Sequence, residues 1–120
     1  MATPLVSVIV PCYRPGLLID GCLEGLLDQD LDGPYEVIVV ESSDDGTAER
    51  LTARFPGCRV IAPPARTLPA EAQKIGVAAA AGPFIAITNH DCLVPRAWLR
   101  RLLARHETGT YAAVGGAVAN

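Results

Sequence analysis

The chain has 120 residues, half of them hydrophobic and 19% charged, which suits one domain with a substantial core and excludes a disordered tail. A formal net charge of −3 argues against broad electrostatic binding to nucleic acid or to an anionic membrane.

Met1 to Pro4 leads directly into an apolar run, with no leader-like segment before it. Leu5 to Val10 (LVSVIV) is rich in Val and Ile and reads as a buried strand ended by Pro11. After the Pro15-Gly16 turn, Leu17 to Gln29 places Leu18, Cys22, Leu23, Leu26 and Leu27 at helical spacing, with Asp20, Glu24 and Asp28 opposite. Tyr35 to Val40 (YEVIVV) is a second buried strand. The polar turn Glu41 to Gly46 follows, in which Asp44 or Asp45 can cap a helix over Thr47 to Phe55. Arg59 to Ala62 is a short third strand, stopped by Pro63-Pro64. Leu68 to Ala81 is an Ala-rich helix with Pro69 in its first turn. Phe84 to Thr88 is a fourth strand ending at Asn89-His90-Asp91. Pro95 opens a helix running to about His106, and Tyr111 to Val118 reads as a fifth strand.

Near-continuous apolar strands alternating with helices predict an α/β fold: a doubly wound, mostly parallel sheet with helices on both faces. No repeat or linker divides residues 1–120. The longest apolar stretch, Ile75 to Ile87, is interrupted by Gly76, Gly82 and Pro83 and is too short for a bilayer span, which needs roughly 20 residues. The four cysteines, Cys12, Cys22, Cys58 and Cys92, contain no C-x-x-C pair and sit among apolar neighbours. They predict buried thiols and a reducing, cytoplasmic compartment.

In such a sheet, ligands bind beyond the carboxyl ends of the strands. Those ends read Pro11-Cys12-Tyr13-Arg14, Glu41-Ser42-Ser43-Asp44-Asp45, Pro63 to Thr67, and Asn89-His90-Asp91. PCYRPG follows the first strand, so the glycine-rich fingerprint of a dinucleotide fold is missing, as is a P-loop. Carboxylates at Glu41 and Asp91 suit a sugar nucleotide. One accepts hydrogen bonds from base or ribose, and the other holds Mg²⁺ or Mn²⁺ against a diphosphate.

VSVIVPCYRPGLLIDGCLEGLLDQ, YEVIVVESSDDGTAE and AEAQKIGVAAAAGPFIAITNHDC together resemble the N-terminal half of a family 2 glycosyltransferase of the GT-A fold. The resemblance implies binding of a nucleotide-diphosphate sugar, a UDP-sugar first, for transfer of the sugar to an acceptor hydroxyl, with Mg²⁺ or Mn²⁺. It implies that Pro11 and Tyr13 line the base pocket and that Glu41 contacts base or ribose. It also implies that Asn89-His90-Asp91 occupies the D-x-D position, with Asp91 as metal ligand. Ser43 and Arg66 join the nucleotide-binding set, Arg66 as a cation toward base or diphosphate. Asn89 stands where the family's first acid is expected, which lowers metal affinity, and Gln73-Lys74 stands where an Arg-Asn pair is frequent. The acceptor half and the catalytic base are expected beyond residue 120. The competing reading is a non-catalytic nucleotide-binding or assembly module. An edge strand bearing Ala112, Val114 and Val118 predicts a homo-oligomer.

Overall fold

The structure, a computed structural model, describes residues 3–108. The predicted strand over Tyr111 to Val118 lies outside them. The described elements run β1 (Val6–Cys12), α1 (Leu18–Leu27), β2 (Tyr35–Glu41), α2 (Thr47–Arg54), β3 (Arg59–Ile61), α3 (Pro69–Ala79), β4 (Phe84–Ile87) and α4 (Trp98–Thr108). The strands form one sheet in the order β3-β2-β1-β4, and every pairing is parallel. Val6 to Cys12 of β1 pairs residue by residue with Tyr35 to Glu41 of β2, and Val6 to Ile9 pairs with Phe84 to Ile87 of β4.

The period-two alternation of a strand divides β1 between two cores. Val6, Val8, Val10 and Cys12 face a cluster built with Ile19, Cys22, Leu23 and Leu26 of α1, Leu51 of α2, Phe55 just after it and Leu99 of α4. Ile9 faces the other side, with Ile38, Val40 and Ala72 of α3. The chain thus steps outward from β1 to β3 over one face and returns to β4 over the other, as right-handed parallel crossovers require. Helices cover both faces of the sheet, so the doubly wound parallel arrangement expected from the sequence is the one observed.

Ser7 is the polar interruption of the first strand and is fully buried. Its hydroxyl donates to Glu36 Oε2 and accepts from the Gly82 N–H at 2.9 Å, while the Ala81 N–H donates to the same carboxylate oxygen at 2.7 Å. This knot ties the entry of β4 to β1 and β2 at the amino end of the sheet.

Each helix differs from the periodicity by one to three residues at one end or both, α3 for example running Pro69–Ala79, and Gln29 accounts for two of these boundaries. α1 stops at Leu27 because Gln29 leaves it to work elsewhere. The Gln29 side-chain amide donates to the Gly25 and Pro95 carbonyls at 3.0 and 2.8 Å, and its Oε1 accepts the Leu99 N–H at 2.9 Å. α4 begins at Trp98 rather than Pro95, so the Leu99 N–H, which donates to Gln29 Oε1, is one of the otherwise unpaired donors of its first turn. Two arginines around the start of α4 meet acids: Arg96, just before the helix, pairs with Asp28 and Arg100, within it, with Asp30, each at 3.5 Å and well exposed.

Candidate functional site

β1 is the point at which the chain changes direction across the sheet. β2 lies on one side of it and β4 on the other, and they are reached by crossovers on opposite faces. The loops leaving β1 and β4 run to α1 and α4 on one face, α3 approaches from the other, and a crevice lies beyond the strands' carboxyl ends. A cavity of about 310 Å³ lies there. The end of β1 supplies Pro11, Cys12 and Tyr13, and the turn after β4 supplies Asn89, His90 and Asp91. The loop entering α3 adds Arg66 and Thr67, and the first turn of α3 adds Pro69 and Ala72. That turn brings the positive end of the helix dipole to the cavity wall.

Tyr13 is flanked by two guanidinium groups. Arg66 lies over its ring at 4.2 Å from the centroid and Arg14 at 5.5 Å. Such contacts leave the in-plane N–H donors of arginine free for an anion. Arg14 has φ 48°, in the left-handed region that residues with a Cβ seldom adopt. Its N–H donates to Ser43 Oγ, which fastens the loop after β1 to the loop after β2.

Glu41 and Ser43 lie outside the cavity wall. Glu41 pairs with Cys12 at the end of β2 and is fully buried. The backbone curls over it: the Ser42 N–H donates to the Cys12 carbonyl at 3.3 Å, and the Ser43 N–H donates to Glu41 Oε1. Glu41 Oε2 is buried without a hydrogen-bond partner, as are Ser42 Oγ and Thr67 Oγ1. Orphaned polar atoms cost about 1–3 kcal/mol each, and their gathering around one sheet edge marks where a ligand's donors or water would be received. Burial, with Glu41 second, pushes the Cys12 thiol up to about 12, so it stays protonated. Asp45 is spent locally, its Oδ1 accepting from the Thr47 N–H at 3.2 Å and from the Thr47 hydroxyl.

The turn after β4 is held from below. The Asn89 carbonyl accepts the Cys92 N–H at 3.2 Å and the Cys22 thiol at 3.5 Å. Burial pushes Cys22 up to about 12, which keeps it a donor. Asn89 and Asp91 are exposed at the cavity and His90 is half-buried. Asp91 is the one carboxylate in the wall. Among the described residues, no three His, Cys, Asp or Glu side chains come together as a metal cage.

Pro11, Tyr13, Arg66, Asn89 and Asp91, named from the sequence, thus share one cavity. Sequence reasoning missed Thr67, because a threonine between a double-proline turn and a helix carries no signal of its own. It also gave His90 little weight as the middle residue of its motif.

The chain can now be set beside known proteins. The model of glycosyl transferase family 2 matches residues 7–120. The uncharacterised glycosyltransferase EpsJ of Bacillus subtilis is 32% identical over 115 residues, spanning 93% of this chain and 33% of that protein. The mannosyltransferase PcManGT of Pyrobaculum calidifontis, solved with GDP-Man and Mn²⁺, is 32% identical with a TM-score of 0.71, covering 86% of this chain and 32% of its own. Glucosyl-3-phosphoglycerate synthase of Mycobacterium tuberculosis, solved with Mn²⁺, UDP and glucosyl-3-phosphoglycerate, is 25% identical with a TM-score of 0.70, covering 89% of this chain and 41% of its own. The chain therefore spans less than half the length of each of these relatives. With a match running over nearly its whole length, the chain belongs to glycosyl transferase family 2.

Proposed function

We propose that this chain is the donor-binding domain of a sugar transferase, holding a nucleotide-diphosphate sugar for transfer to an acceptor hydroxyl. The observation that carries the reading is the joining of Tyr13, Arg66, Asn89 and Asp91 in one cavity at the β1/β4 crevice. Tyr13 offers an aromatic face for a base, and Asn89 offers an amide for ribose hydroxyls. Glu41, with one buried oxygen unpaired, offers an acceptor for a base N–H or ribose O–H reaching between the loops. The relatives support the class of ligand, since one was solved with GDP-Man and another with UDP. A UDP-sugar is the first candidate, and a GDP-sugar the second.

In the transfer, the bond from the sugar's anomeric carbon to the diphosphate oxygen breaks as the acceptor oxygen bonds to that carbon. The acceptor proton passes to a general base, proposed to lie beyond residue 120. The domain's part is to fix the donor and to receive the negative charge that grows on the leaving diphosphate. Mg²⁺ or Mn²⁺ fits this wall only together with a diphosphate. Asp91 supplies one carboxylate, the Asn89 amide a second oxygen, and phosphates and water must complete the shell. When bound, the cation would neutralise part of that charge.

Two further proposals concern the setting. The four free cysteines support a reducing compartment such as the cytoplasm. No helix among the described residues is long and apolar enough to cross a membrane. A homo-oligomer is supported by β4, on which Ile85 and Ile87 are 39% and 43% exposed.

Calorimetric titration of UDP-, GDP- and dTDP-sugars, with and without Mn²⁺, tests the reading. Saturable binding of at least one donor is the expected result, and no binding of any donor at millimolar concentration sinks it.

A further inference from the structure

The charges around the cavity are unevenly provisioned for a metal-centred site. Asn89 is neutral where a second carboxylate would stand, Glu41 is buried outside the cavity wall with one oxygen taken by the Ser43 N–H, and Asp45 is occupied by Thr47. One carboxylate, Asp91, remains in the wall. Opposite it the wall carries a permanent cation. Arg66 is exposed, rests on Tyr13 and has no carboxylate partner among the ion pairs of the described residues. Arg50 and Arg54, in contrast, are committed to Asp20. A guanidinium never deprotonates in the working range, and it presents paired donors that match phosphate oxygens. Its seat on the Tyr13 ring orients those donors without consuming them.

Resting on the nucleotide-site reading, we propose that Arg66 carries the charge of the donor's diphosphate, so that nucleotide binding by this chain survives removal of divalent metal. Arg66 is on this view a phosphate ligand rather than part of the base platform, and the metal assists without being required for binding.

The test is calorimetry of the 120-residue chain with UDP and with GDP, in EDTA and in Mn²⁺, alongside Arg66→Ala and Asn89→Asp. The expected native result is an affinity in EDTA within about threefold of that in Mn²⁺ for the tighter nucleotide. Arg66→Ala should weaken that nucleotide about tenfold or more in EDTA. The matching nucleoside, which lacks phosphates and is followed by NMR shifts, should bind the variant and the native chain alike. Asn89→Asp should bring metal dependence, with EDTA weakening binding about tenfold. An unchanged circular dichroism spectrum and melting temperature separate these effects from misfolding. Native binding that vanishes in EDTA overturns the proposal while leaving the nucleotide site intact, and so does equal loss of nucleoside and nucleotide in Arg66→Ala. Absence of any nucleotide binding in either buffer removes the site reading itself and this proposal with it.

Discussion

Glu41 shows how far a residue's type carries and where it stops. An acid after a buried strand was legible as a strand-end group, and its address beside Cys12 follows from register. Its burial was not legible, because it depends on Ser42 and Ser43 folding their N–H groups back onto Cys12 and Glu41 itself. Glu41→Gln keeps the oxygen that receives the Ser43 N–H and replaces the unpaired one with a donor. Calorimetry should show nucleotide binding about tenfold weaker, with little change in melting temperature, since the bond from the Ser43 N–H is kept. Asp45 gives a second prediction. The Thr47 hydroxyl, aided by the Thr47 N–H and Arg14, holds its carboxyl below the usual range. A carboxyl so depressed stabilises the fold above its unfolded value, about 3.9, and loses that effect as pH falls through the folded value. Native and Asp45→Asn chains should therefore differ in melting temperature near neutrality, and the difference should shrink as pH falls through the folded value.

At the level of elements, strands were easier to read than helix ends. LVSVIV and YEVIVV declared themselves by unbroken apolar content, and the paired prolines stopped β3 where expected, within a residue. The ends of α1 and α4 were hidden because a side chain decides both: Gln29, distant in sequence from Leu99, supplies the bond that starts α4. α3 shows what close packing asks of sequence. A Cβ built on Gly76 would stand 2.4 Å from Ile9 Cγ2, so the helix lies on the sheet at a distance that only glycine permits. Gly76→Ala gains helix propensity, worth about 1 kcal/mol in an open setting, yet should lose about 1–3 kcal/mol net through displacement of Ile9 or α3. Urea denaturation measures the difference, and a more stable variant would mean that the contact yields easily. Since the first turn of α3 forms one wall of the cavity, any shift there should also be felt in nucleotide affinity.

For the molecule as a whole, the sheet order could not be read from strand runs alone, although the rule that ligands gather at carboxyl ends placed the candidate residues on one edge before their neighbours were known. Convergence of Tyr13 and Arg66 was not legible, because 52 residues lie between them and the contact depends on how the β3-to-α3 loop runs. Beyond β4, the described residues include no further strand, and Ile85, Ile87 and Val77 of α3 are 39%, 43% and 45% exposed. Apolar groups beside an open strand edge favour association. Light scattering of the chain at micromolar concentration should report a dimer or larger species, and Ile85→Lys with Ile87→Lys should shift it to monomer. A native chain that is monomeric throughout contradicts the homo-oligomer.

The Ser7–Glu36–Gly82 knot has a consequence of its own. It anchors three strands at the margin opposite the crevice, through residues that take no part in the cavity wall. Architecture and recognition are thereby entrusted to opposite poles of one sheet. The loops at the opposite pole are left free to diverge without renegotiating how the strands align.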